Sequence, residues 1–111
     1  IVQQGLEKNP GWGREEIEFW APSKLRHHPA SAFRSPNKRV PTSETFASIT
    51  CPTLILKAEA KDEAARMKNE EVASILTDGT LIHVEGAGHC VRRDERQACL
   101  DAFRAFLSKL E

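Results

Sequence analysis

The run Thr53-Leu54-Ile55-Leu56-Lys57 constrains the fold most, because its apolar residues are consecutive. Successive strand residues point to opposite faces, so such a run suits a strand covered on both sides. That is the position of a parallel strand in an α/β sheet. Pro52 fits only at its start, since proline cannot donate to a strand ladder. A second run, Thr80-Leu81-Ile82-His83-Val84, has the same buried-strand character. Between the two, Lys61 to Leu76 is rich in Ala, Glu, Lys, Arg and Met, which favour helix. Ala65, Val72, Ile75 and Leu76 mark its expected buried stripe. Asp78-Gly79 closes the connection as a turn. Strand, helix and strand in this order form a right-handed βαβ unit. A last helix follows, in which Cys99, Phe103, Phe106, Leu107 and Leu110 fall at i, i+4, i+7, i+8 and i+11, one continuous face. Asp94 is expected to cap it, with Gln97 in the capping-box position. The fold class is α/β, with parallel strands and flanking helices.

Upstream, Gly5, Pro10 and Gly11 mark the end of one element and a turn. Arg14 to Trp20 offers a short helix with Ile17, Phe19 and Trp20 as its apolar residues. Pro22 is expected to break or kink it, with one more turn from Ser23 to His28. Trp12, Phe19 and Trp20 are too many rings to leave in water, so they require packing partners. From Pro29 to Pro41 the composition turns to proline, serine and basic residues, a connection without regular structure. Ser43 to Ser48 then offers a helical turn. The expected division is residues 1–48 and residues 49–111.

The chain has 111 residues, and its 16 basic residues cancel 16 acidic ones. Nucleic-acid and membrane-surface binders rely on a basic surplus, so neither partner is expected. No apolar run is long enough to span a bilayer, and no signal-peptide pattern opens the chain. Cys51, Cys90 and Cys99 are odd in number and lack CxxC spacing. They suit reduced thiols in a cytoplasmic protein, with neither a disulfide scaffold nor a zinc site. His27-His28 has no carboxylate or cysteine at ligand spacing, which leaves a solvated pair. No metal and no cofactor is expected. The chain opens at Ile1, which suggests residues upstream.

The chemistry collects at Gly86-Ala87-Gly88-His89, directly after the second strand. The carboxyl ends of strands in an open α/β sheet are where ligands gather. Two glycines permit a tight turn there, and histidine is the side chain best suited to moving protons near neutral pH. A turn histidine that makes one backbone hydrogen bond satisfies the same spacing.

These residues resemble the C-terminal part of an α/β-hydrolase. "ITCPTLILKAEA" is similar to the strand that precedes the catalytic acid in that family. "HVEGAGHCVRRDERQACLDAFRAFL" is similar to its final strand, catalytic-histidine loop and last helix. The likeness covers residues 49–110 in order and spacing, and residues 11–33 resemble more loosely the end of a helical cap. It implies that His89 matches the general base and that a carboxylate after the preceding strand fixes its tautomer. Asp62, four residues past Ala58 and opening a helix, is the preferred acid on this resemblance. Glu59, directly after Ala58, is the alternative. Either is equally a solvated carboxylate at a helix start, favoured by the macrodipole.

Ala58 stands where the family usually has glycine, and no G-x-S-x-G elbow occurs in the 111 residues. Cys90 is not taken as a replacement nucleophile, because loop neighbours seldom point at one another. The expectation is therefore a fragment of a serine-type, esterase-like hydrolase acting on an ester, amide or similar small carbonyl substrate. It supplies the triad histidine and acid, while the missing N-terminal half of the same fold supplies the nucleophile. The alternative is a non-catalytic α/β-hydrolase-like binding module or split subunit.

Overall fold

The computed structural model describes residues 1–32 and 39–111, which form two compact units, Ile1–Arg39 and Val40–Glu111. The protein is mixed α/β. Among the described residues two strands pair in parallel, β1 (Thr53–Ala58) and β2 (Gly79–Val84).

In the first unit, α1 (Val2–Lys8) and α2 (Arg14–Leu25) are joined by a turn at residues 9–13. α2 runs through Pro22 rather than ending there, and continues to Leu25. Pro22 removes only one backbone donor, and the Arg26 N–H still reaches the Pro22 carbonyl at 3.2 Å. Ile17 is fully buried, and Trp12 packs edge-on against Trp20 with ring centroids 5.9 Å apart. Lys24 Nζ lies 5.4 Å from the Trp20 ring centroid, a cation–π contact. Phe19 has no such shelter and is 76% exposed. A 3-10 turn at Pro29–Ala32 occupies the start of the segment expected to lack regular structure. Residues 33–38 of that segment lie outside the described residues.

The second unit begins with α3 (Thr42–Ala47), followed by β1, α4 (Glu63–Ala73) and β2. The register pairs Leu54 with Thr80, Leu56 with Ile82, and Ala58 with Val84 on one face of the sheet. Ile55 with Leu81 and Lys57 with His83 occupy the other. α4 lies against that second face, where Asn69 Nδ2 and His83 Nε2 are 3.1 Å apart. On the first face, Leu56 and Ile82 pack against Val84, Ala87 and Cys99, with Val91 beside them. Cys99 belongs to α6 (Arg96–Ser108), which follows the short helix α5 (Val91–Asp94).

Two stripes differ from their periodic reading. α4 ends at Ala73, which is buried, and beyond it Leu76 is buried while Ile75 is 37% exposed. On α6 only Cys99 is buried and Phe106 half-buried, whereas Phe103 is 50% exposed and Leu107 43%, and Leu110 beyond its end is 50% exposed. A two-stranded sheet is too narrow to cover the whole apolar arc of that helix. The strands share the shortage, since Leu54, Ile55, Leu56, Leu81 and Ile82 are only half-buried. The 111-residue chain on its own is expected to bind a hydrophobic dye under native conditions. A cooperative melt with no dye binding beforehand contradicts this.

Candidate active-site loop

The loop after β2 is seated by the strand beside it. The Glu59 N–H donates to the Ala87 carbonyl at 3.1 Å, which carries the β1–β2 pairing past the ends of both strands. Ala87 is buried, and its own N–H closes a turn onto the Val84 carbonyl at 3.2 Å. Gly86 adopts φ +77°, a left-handed conformation that residues with a Cβ adopt only at a cost. Its N–H donates to Glu59 Oε2 at 3.2 Å. The Gly88 N–H donates to Asp94 Oδ2 at 2.9 Å. Two carboxylates, one from each side, therefore grip the glycine turn. His89 follows at the exposed end of it, just before α5 begins.

Asp94 is thus not the cap of the last helix. It is the final residue of α5, α6 starts two residues later, and its side chain turns back to Gly88. Gln97 bonds forward along α6 to Asp101 Oδ1 at 2.8 Å instead of completing a capping box. Glu95 holds the N-cap position of α6 and makes no side-chain cap bond.

The two candidate acids have different partners. Asp62 is the N-cap of α4, where its Oδ1 accepts from the Ala65 N–H at 2.8 Å, the capping role that a helix start favours. Glu59 reaches across the sheet end to the loop that bears His89. The hydrogen bonds of both carboxylates go to backbone N–H groups, and neither is made to the His89 imidazole. Catalytic hydrogen bonds are commonly long or unmade until substrate is bound.

Cys90 is half-buried, and Cys99 is buried with its Sγ 3.5 Å from the Val91 carbonyl. Burial pushes the Cys99 thiol above its usual range, and the nearby Glu95 carboxylate adds to this. Cys99 is accordingly a core residue, not a thiolate. His28 Nδ1 accepts the Ala30 N–H at 3.1 Å, which serves the chain turn there. Among the described residues no group of three or more His, Cys, Asp or Glu is placed to hold a metal ion. No helix among them is long and apolar enough to cross a membrane. A surface cavity of about 330 Å³ lies between the end of α4 and the start of β2. Gly79 and Leu81 line it with Glu70 and Asp78, at the end of the strand away from His89.

The chain matches no protein-family model, no curated protein and no solved structure.

The left-handed turn gives one expected result here. Gly86→Ala places a Cβ at φ +77° and 2.8 Å from Glu95 Oε1. The Glu95 side-chain end can swing away, but the backbone cannot relax without losing the Gly86–Glu59 bond. The substitution is expected to destabilise by about 1–2 kcal/mol in denaturant unfolding. A change under about 0.5 kcal/mol would mean that the turn is not held in this conformation.

Proposed function

We propose that the chain supplies the general base and its partner carboxylate to a serine-type hydrolase of α/β-hydrolase architecture. The substrate class is an ester, amide or similar small carbonyl compound. His89 takes the proton from the nucleophile and returns it to the leaving group, as triad chemistry requires. The observation that supports this reading is an exposed histidine on the loop at the carboxyl end of a parallel strand pair, where the Glu59 carboxylate just past the neighbouring strand holds the Gly86 turn of that loop. Glu59 is favoured over Asp62 as the partner acid, because Glu59 already spans the strand ends to the histidine loop while Asp62 caps α4. The nucleophile and its oxyanion hole lie outside these 111 residues, since no G-x-S-x-G elbow occurs within them.

The second reading, a non-catalytic binding module, draws on the exposed Phe103 and Leu107 of α6 and Leu110 just past its end. A p-nitrophenyl ester assay on the polypeptide that carries residues 1–111 with its upstream segment separates the two. Turnover supports the hydrolase. Absence of turnover in a folded preparation leaves the binding module.

A further inference from the structure

Asp94 has no role in the triad chemistry just proposed, and its expected role as a helix cap is not what the fold uses. What it does instead is specific. Its Oδ2 accepts the Gly88 N–H at 2.9 Å across six residues, and Gly88 is the residue immediately before His89. The approach is close enough that a Cβ at Gly88 would stand 3.3 Å from that oxygen. Asp94 itself is half-buried at the end of α5, where the Arg93 and Asp94 N–H groups both bond to the Cys90 carbonyl, at 2.8 and 2.9 Å. The carboxylate and the backbone on either side of His89 are therefore parts of one small ring of contacts. Gly88 precedes the histidine and is fixed by Asp94, while Cys90 follows it and is fixed by the first turn of α5.

We propose that Asp94 is a positioning residue for His89. Its carboxylate holds the Gly88 peptide, and so sets the direction in which the imidazole leaves the backbone. Glu59 does the corresponding work two residues earlier at Gly86. Without Asp94 the peptide before His89 is held only from the β2 side, and the ring loses its fixed origin. A bond from a backbone N–H to a charged oxygen is stronger than one to a neutral oxygen, which suits a carboxylate to this place. An amide oxygen at the same position accepts the same N–H, so Asp94→Asn retains the geometry while Asp94→Ala removes it. This inference rests on the hydrolase reading for its catalytic consequence, but not for the structural one.

The experiment therefore has two readouts. Hydrogen exchange at the Gly88 amide, followed by mass spectrometry with single-residue fragmentation, is measured on the polypeptide of residues 1–111 and on each variant. Asp94→Ala is expected to speed Gly88 exchange about tenfold, with Asp94→Asn close to wild type. Amides in the middle of α6 serve as the control and keep their protection. Gly88→Ala, which crowds the carboxylate without removing it, gives a smaller change in the same direction should Asp94→Ala fail to fold.

In the ester assay on the longer polypeptide, Asp94→Ala is expected to lower kcat by about 10- to 100-fold at nearly constant KM, and Asp94→Asn to restore it. Unchanged Gly88 exchange in Asp94→Ala overturns the proposal. So does faster exchange with unchanged kcat while His89→Ala abolishes turnover. If His89→Ala itself leaves turnover intact, it is the hydrolase reading that fails, and with it the catalytic consequence of the Asp94 contact, while the exchange result still decides the structural one.

Discussion

In the proposed hydrolase, replacing His89 with alanine is expected to lower ester turnover by about 10⁴- to 10⁶-fold, with little change in KM. The size of the effect follows from what the imidazole does. An uncharged hydroxyl is a poor nucleophile, and without a base in contact its proton must leave to water in the transition state. The loss therefore falls on kcat, because the step removed belongs to the transition state and not to substrate binding. The residue is exposed at the end of the loop, and its backbone is held by bonds at Gly86 and Gly88 in which the ring takes no part. His89→Ala consequently leaves the fold intact, and its stability is expected to stay within about 0.5 kcal/mol of wild type. A loss of activity without a loss of stability separates a catalytic histidine from a turn histidine.

The second large effect distinguishes the two carboxylates. Glu59→Gln is expected to lower kcat by about 10⁴-fold, the scale seen when a triad acid is replaced by its amide. The glutamine oxygen still accepts the Gly86 N–H, so the loop keeps its seat while the negative charge that stabilises the imidazolium is gone. Asp62→Asn is expected to change kcat less than about twofold, since asparagine caps a helix as well as aspartate does. Asp62→Ala, which loses the bond to the Ala65 N–H, costs about 1 kcal/mol of stability and no catalysis. If the two results are reversed, the acid is Asp62, and the Glu59 contact with Gly86 is structural only. Measuring kcat for both amide variants in parallel settles the assignment.

The sequence carried much of the central architecture because its signals are local. The unbroken apolar runs set β1 and β2, and the helix-forming stretch between them set α4, each within a few residues of the observed bounds. The glycine turn placed His89 on the loop after β2 for the same reason. Other features depend on distant residues and were not legible. Glu59 meets Gly86 across 27 positions, a contact that no spacing rule encodes. Asp94 fitted a capping-box pattern with Gln97 as well as any real cap does, and only the short helix α5 revealed its turn back to Gly88. The α6 stripe was correct as a periodicity and misleading as burial. A pattern reports which residues could be covered, while the width of the sheet decides how many are. Pro22 predicts a break or kink in α2, yet the helix continues through it to Leu25, with Ile17 and Ala21 buried just before it.

In the proposed hydrolase, His89 activates a nucleophile that lies outside these residues. A fluorophosphonate probe tests it most directly, because it labels a serine only when a neighbouring base has made that serine reactive. The probe is applied to the polypeptide that carries residues 1–111 with its upstream segment, as wild type and as His89→Ala, and the labelled peptide is identified by mass spectrometry. One labelled serine upstream of Ile1 is expected in the wild type, and no label on it in the variant. A label that persists unchanged in His89→Ala, or a folded wild-type protein that takes no label, contradicts it.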